Sequence, residues 1–254
     1  AAHHFYIATQ VARQLGIPSI EVQHAAAIVD PRSVHSRLFA SYLAAYGPLT
    51  GEVLAKNFGY ALERSRPIGS PRFDHYVHER TSLVENRAAS LEELGLDPAR
   101  PTVFVGAQFP GAYPVLFSSY QVADFYKVFR SIQQEMPELQ FIFKFRPGDA
   151  ALPYKSLIEE LFTSGGAAVT NTENFLSLIV ASDIACIGFS TMMYEIMLGG
   201  RPMILYPWHT WDTPTLEVYK GVAPVAWNAQ ELSVLLKKFQ DKEEAAKAIN
   251  KQNA

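Results

Sequence analysis

The stretch CIGFSTMMYE, residues 186–195, combines residue types suited to bind a phosphate and a sugar hydroxyl. Gly188 follows an apolar run typical of a buried strand, and Ser190 and Thr191 are well placed to begin a helix. The start of a helix offers backbone N–H groups and a positive dipole end to an anion. Glu195 lies one turn inside among apolar residues, where its carboxylate suits a ribose hydroxyl pair. The alternative is an ordinary helix cap with a solvent-facing glutamate.

A basic pair follows the predicted strand LQFIF, in the segment FKFRPGD. Lys144 and Arg146 are two residues apart, so they project from the same side of the strand end, and Pro147 and Gly148 force a turn. Arginine suits bidentate phosphate binding, and lysine acts as a point charge. A solvated basic pair is the alternative. In a chain with a net charge of -3, this pair favours a phosphate site.

Other candidates also follow predicted strands. His24 ends the run SIEVQH and would act as a general base for an acceptor hydroxyl if two domains face each other across a cleft. A structural histidine is the alternative. His209 and Asp212, in the loop PWHTWDTP, are candidate contacts to a donor or an acceptor, against the alternative of a rigid surface loop. Gln108, at the end of PTVFVGAQ, is a further candidate contact.

The sequence contains no GxGxxG, Walker loop, HExxH, CxxC or DxD motif. We therefore predict no bound metal, no cofactor and no hydride transfer. The single cysteine, Cys186, excludes an internal disulfide and lies in the apolar run DIACIGF, which predicts a buried thiol.

The composition is that of a globular protein, with 48% hydrophobic and 19% charged residues among 254. The net charge of -3 argues against a nucleic-acid partner. No apolar run approaches a membrane span and the start does not resemble a signal peptide, so we expect a cytoplasmic location. The chain opens in a helical pattern without an initiator Met, which suggests a missing upstream region. Association with the inner face of the membrane would depend on that region.

The elements that position these residues alternate between helix and strand, which predicts an α/β fold with a doubly wound parallel sheet. Residues 1–70 are expected to form part of one Rossmann-like domain, ending in the segment RSRPIGSPRFD. Residues 71–254 are expected to form a second, complete domain with a charged helical tail. It would open with one long helix over 74–94 and contain strands starting near 102, 139, 167, 183, 202 and 222. Ligands of such sheets bind at the carboxyl ends of the strands, where the candidate residues lie.

Four segments together resemble a known family. They are LGIPSIEVQHA, RSRPIGSPRFD, FIFKFRPGD and SDIACIGFSTMMYEIMLGGRPMI, and the likeness covers roughly residues 10–207. They are similar to bacterial surface-polysaccharide glycosyltransferases with two Rossmann-like domains, the GT-B type. This group includes capsule and lipopolysaccharide sugar transferases, Kdo transferases and CDP-glycerol glycerophosphotransferases of teichoic acid synthesis.

The resemblance implies a CMP-, CDP- or UDP-linked donor held around Ser190, Thr191 and Glu195, with Lys144 and Arg146 facing its phosphates. It also implies that His24 stands at the domain cleft. Residues 1–70 would belong to the acceptor-side domain and residues 71–254 would bind the donor. The implied partners are a nucleotide-sugar donor, a glycan or lipid-linked acceptor and further domains of a larger transferase.

Two other functions remain open from the sequence. One is a non-catalytic nucleotide-sugar-binding or assembly module. The other is a nucleotide-sugar 2-epimerase of the same architecture, which would need catalytic carboxylates in the cleft. Only Asp30 and Asp74 are available for that role, so the sequence ranks the epimerase below the transferase.

Overall fold

A computed structural model describes residues 2–23, 38–106, 119–145, 152–172, 176–188, 190–207 and 221–253. The chain divides into two compact units, Ala1–Asp74 and His75–Ala254. The sequence places the boundary after residue 70, within the short segment that leads into the first helix of the second unit. No helix in the described ranges is long and apolar enough to cross a membrane.

The described residues of the smaller unit form three parallel strands in the order β1-β2-β3. Its elements are helix α1 (Ala2–Gln14), β1 (Ile20–Val22), β2 (Tyr42–Ala45), helix α2 (Pro48–Phe58) and β3 (Ser65–Pro67). Pro48 starts α2, where its missing N–H costs nothing, and Gly59 ends it in the left-handed region at φ 67°. The buried Gln23 side chain accepts from Tyr46 N at 2.9 Å and Thr50 Oγ1 at 3.1 Å, which fixes the end of β1 beside α2.

The larger unit begins with helices and then alternates strand and helix. Its elements are α3 (Asp74–Glu85), α4 (Arg87–Glu93), β4 (Thr102–Gly106), α5 (Ser119–Glu135), β5 (Gln140–Lys144), α6 (Leu152–Leu161), β6 (Ala167–Thr170), α7 (Leu176–Ala181), β7 (Ile184–Ile187), α8 (Met192–Leu198), β8 (Met203–Leu205), α9 (Ala229–Phe239) and α10 (Lys242–Gln252). All five strands are parallel, in the order β6-β5-β4-β7-β8. The winding therefore reverses between β4 and β7, which makes the gap between them the switch point where open α/β sheets bind ligands.

One face of this sheet carries an aromatic core beneath α5, α6 and α9. Phe129 on α5 meets Phe141 and Phe143 of β5 edge-on, with ring centroids 5.5 and 5.6 Å apart. Such edge-to-face contacts add to the gain from burying the rings. The alternate residues of the same strands, such as Phe104 and Ile142, are also fully buried. The sheet is therefore covered on both faces, as a parallel sheet requires.

Two predicted elements of the larger unit are wrong in detail. The helix expected over 74–94 is interrupted at Asn86, whose backbone leaves helical geometry at φ -91° and ψ 10°. Its side chain donates to Ser82 O at 2.9 Å, the same carbonyl that accepts from Asn86 N. The sixth strand expected near 222 is reduced to an isolated bridge between Leu205 and Val225. Pro224 has no N–H to extend a ladder, so pairing stays limited to this point.

Candidate functional site

The candidate site is framed by the carboxyl ends of three neighbouring strands. Lys144 of β5 and Ile187 of β7 are both paired with Gly106, the last residue of β4. Since neighbouring strands lie just under 5 Å apart, the ends of β5 and β7 are separated by roughly 10 Å at the Cα level. The structure therefore brings Lys144, Gly188, Ser190 and Thr191 to the same edge, on either side of the switch point.

Gly106 lets helix α8 approach this edge closely. A Cβ atom there would lie 2.6 Å from Ile187 Cγ2 and 3.1 Å from the Met192 sulfur, closer than real side chains pack. The sequence analysis did not single out this residue. Gly106 could have been identified as the glycine that ends the first apolar strand of a doubly wound unit, because the strand and a helix must pack closely at that point.

The start of α8 differs from the expectation of free backbone donors. Met192 N donates to Ser190 Oγ at 3.3 Å, and the next two amides, of Met193 and Tyr194, donate to Ser190 O and Thr191 O, both at 3.1 Å. The helix opens as a tight turn, so these three amides are already used internally. Ser190 and Thr191 are themselves partly exposed, and Gly188 is buried.

Two charged side chains lie inside the protein at this edge. Glu195 and Lys144 are each 2% exposed, which is unusual because burying a charged group is costly unless it is paired. Lys144 Nζ donates to the carbonyl of Phe145, the residue that follows β5. The alternatives of a solvated basic pair and of a solvent-facing glutamate are therefore wrong for these two residues.

Several predicted site residues lie outside the described residues, and their prediction stands as made. They are His24, Gln108, Arg146, His209 and Asp212, together with Asp30. Asp74 is described, and it is the first residue of α3.

Cys186 and Tyr206, which lie behind this edge, are unreactive near neutral pH. Burial raises the pKa of the Cys186 thiol far above its ordinary value, and it raises the pKa of Tyr206 to about 12. Both groups therefore stay protonated near neutral pH, and Cys186 is an inert core residue, as its apolar surroundings predict. Within the described ranges, no three His, Cys, Asp or Glu side chains are grouped to hold a metal ion.

No protein-family model matches the sequence, and no curated protein is similar to it in sequence. Solved structures are similar in fold. S. aureus MnaA, in a co-structure with UDP, superposes with a TM-score of 0.67 at 13% identity, over 96% of this chain and 67% of that one. The UDP-GlcNAc 2-epimerase from Neisseria meningitidis, bound to UDP-GlcNAc, gives 0.66 at 12% identity, over 97% and 67%.

The wall teichoic acid polymerase TagF, as its H548A variant, is also similar, with a TM-score of 0.57 at 16% identity. The match covers 87% of this chain and 56% of TagF, so the chain spans little more than half of that protein. At these identities the likeness concerns the fold. The protein has an α/β fold with Rossmann-like parallel sheets, as found in GT-B type proteins.

Proposed function

We propose that the larger unit binds the nucleotide of an activated donor at the carboxyl edge of its sheet. In this proposal the protein transfers a sugar, or a glycerol-phosphate-like group, to a surface-polysaccharide acceptor without a metal ion. The observation that carries the proposal is the row Lys144–Gly106–Ile187 at the switch point, with Glu195 buried in the helix that follows β7.

The chemistry assigned to each residue follows from its type. Lys144 and Arg146 would stabilise the negative charge that develops on the leaving phosphate, and Glu195 would accept from the ribose hydroxyls. His24 would take the proton of the acceptor hydroxyl. The structural neighbours support the choice of ligand, because MnaA forms a co-structure with UDP, the Neisseria meningitidis epimerase is bound to UDP-GlcNAc and a TagF variant was soaked with CDPG.

A 2-epimerase acting on a nucleotide sugar is the second candidate, and one observation favours it. The 2-epimerases from Neisseria meningitidis and Methanocaldococcus jannaschii superpose with TM-scores of 0.66 and 0.61, over 97% and 98% of this chain. Both values exceed the 0.57 and 87% for TagF. The small number of available carboxylates in the sequence ranks the epimerase low, whereas the similarity in fold favours it.

Nucleotide binding is tested first, by thermal unfolding with CMP, CDP, UDP, GDP and ADP. A nucleotide at 100 times its Kd should stabilise the protein by about 2.7 kcal/mol by mass action. Glu195→Gln, which keeps the shape and removes the charge, should lose most of that shift. Glu92→Gln, at an exposed position on α4, is the matched control and should respond like the parent. If no nucleotide shifts the transition, or if Glu195→Gln responds fully, the donor site is wrong.

The two activities are then separated by their products. A transferase releases the nucleotide only when a polysaccharide acceptor is present, whereas a 2-epimerase interconverts the two C2 epimers of UDP-GlcNAc. CDP-glycerol serves as the second donor, because a glycerophosphotransferase would use it and the epimerase would not. Nucleotide binding without either product would instead identify a non-catalytic binding module.

A further inference from the structure

A cleft lies at the amino edge of the five-stranded sheet, where the strands begin, opposite the carboxyl edge that carries the candidate site. Its volume is about 510 Å³, within the range of small-molecule sites. Pro101, Ile184 and Pro202 line it from the starts of β4, β7 and β8. Helices α9 and α10 supply the facing wall, with apolar groups such as Phe239 and Ile249.

The charged side chains that line this cleft are mostly basic. The basic residues that line it are Arg87, Arg100, Arg201 and Lys242, and Asp183 is the one acidic residue in its described lining. The whole chain carries a net charge of -3, so this local excess of positive charge runs against the overall balance. It is a local field that attracts anions.

Two of these cations, Arg100 and Arg87, are fixed in position by hydrogen bonds within the protein. Arg100 donates to the carbonyls of Pro137, Glu138 and Leu139 at 2.6, 3.1 and 3.0 Å. Arg87 donates to Asp183 Oδ2 at 2.9 Å, and the same oxygen accepts from the backbone N of Thr102 at 2.8 Å. Asp183 is therefore engaged by two donors, and its single negative charge leaves the cleft with an excess of positive charge.

Arg201 has one N–H donor that no described residue accepts from. Its Nη2 donates to Val180 O, while its Nε is buried without a partner among the described residues. Burial lowers the pKa of Arg201, and the nearby guanidiniums of Arg80 and Arg87 lower it further, against the opposing effect of Asp183. Arg80 and Arg87 thus add positive charge near Arg201, and an added anion would offset their mutual repulsion.

The backbone at Gly200, next to Arg201, leaves room for the side chain of Arg80. Gly200 has φ +65°, and a Cβ atom there would lie 2.0 Å from Arg80 Nη2. The Arg80 guanidinium therefore rests on the residue that precedes Arg201. A glycine is needed here both for the backbone conformation and for the approach of this second cation.

We propose that this cleft is an anion site for a phosphate group, held by Arg201 and Lys242, with an organic portion against the apolar wall of α9 and α10. Guanidinium groups bind phosphate through paired N–H donors, and the ammonium of Lys242 adds charge from the first turn of α10. The ligand class is a small phosphate monoester or free phosphate. The site is separate from the carboxyl edge, and the nucleotide proposed there plays no part in this inference.

The test is a calorimetric titration of the whole chain with inorganic phosphate and, separately, glycerol 3-phosphate, at an ionic strength held constant with chloride. Arg201→Gln should weaken phosphate binding by about tenfold, since it removes charge-assisted hydrogen bonds. Lys242→Gln should weaken it by about threefold through lost Coulomb attraction. Lys251→Gln removes the same charge from the last turn of α10, outside the cleft, and should bind like the parent.

Tighter binding of glycerol 3-phosphate than of inorganic phosphate would identify an organic phosphate as the ligand, and equal binding would identify free phosphate. Weaker phosphate binding in Lys242→Gln, with parental binding in Lys251→Gln, separates this site from the carboxyl edge, because Lys242 lies at the amino edge. The proposal is overturned if the parent binds neither anion, or if Lys242→Gln binds both as the parent does. Lys242 is exposed, so this variant decides the question even if Arg201→Gln fails to fold.

Discussion

The two edges of the five-stranded sheet are built in different ways. At the carboxyl edge, Gly106 gives helix α8 close access, and Lys144 and Glu195 are buried there. At the amino edge, Arg100 holds three backbone carbonyls, and Gln252 at the end of α10 bonds to both sides of the start of β8.

The amino edge mainly stabilises the sheet, whereas the carboxyl edge carries the candidate nucleotide-binding residues. The amino edge is held by hydrogen bonds between segments far apart in the chain, which resist local changes. The carboxyl edge depends on close packing at one glycine and on two charges that are costly to bury. We therefore expect substitutions at the carboxyl edge to affect both stability and ligand binding. Substitutions at the amino edge should affect stability or anion binding, and should leave nucleotide binding intact.

The largest effect is expected from Gly106→Val. The new Cβ would collide with Ile187 and the Met192 sulfur, so the free energy of unfolding should fall by about 3 kcal/mol, and nucleotide binding should weaken as α8 moves. Urea unfolding measures the first effect, and the nucleotide-dependent thermal shift measures the second.

Gly221→Val is the matched control, because no described residue lies within 4 Å of a Cβ atom there, and it should change stability by less than about 0.5 kcal/mol. Adding Ile187→Ala to Gly106→Val should recover part of the loss, since it removes the nearest clashing atom. If the double variant shows no such coupling, the contact with Ile187 of β7 is not what requires the glycine.

The sequence predicted most of the fold because the elements are strongly patterned. The strand predicted to start near 167 is observed over Ala167–Thr170, since it is bracketed by turn and polar residues. The failures at Asn86 and Val225 are places where the local backbone geometry or a neighbouring proline overrides the hydrophobic pattern.

The positions of the candidate residues were predictable only where they are local in sequence. Gly188, Ser190, Thr191 and Glu195 lie where a strand followed by a helix was expected to place them, and their role in binding stays a prediction. The basic cleft was not found, because its cations come from α4, the loop before β4, the start of β8 and α10. No spacing in the sequence links them, and only the sheet order brings them together.

A smaller effect is expected from Gln252→Leu. Gln252 Oε1 accepts from Met203 N at 2.9 Å and its Nε2 donates to Arg201 O at 3.0 Å, so leucine would leave the buried Met203 N–H without its partner. Stability in urea should fall by about 1–2 kcal/mol. Nucleotide binding should stay at the parental level, and a loss of that binding would contradict the separation of the two edges.

Asp183→Asn should have a still smaller effect on stability, below about 1 kcal/mol, because its ion pair with Arg87 is partly exposed and asparagine can still accept from Thr102 N. The same change removes the one negative charge from the described lining of the basic cleft. Inorganic phosphate should then bind about threefold more tightly in the calorimetric titration. Unchanged or weaker phosphate binding would count against the anion site.

The smallest effect is expected from a thiol reagent added to the native protein. Cys186 lies in β7 between the two edges, and burial raises its pKa, so its thiolate fraction should stay negligible from pH 7 to 9, where an exposed thiol becomes strongly reactive. Labelling followed by mass spectrometry should therefore be slow, and its rate should follow global unfolding. In Gly106→Val the labelling should accelerate beyond what the loss of global stability explains, because the carboxyl edge then opens locally. Equal acceleration in Gln252→Leu, at matched stability, would show that the two edges open together.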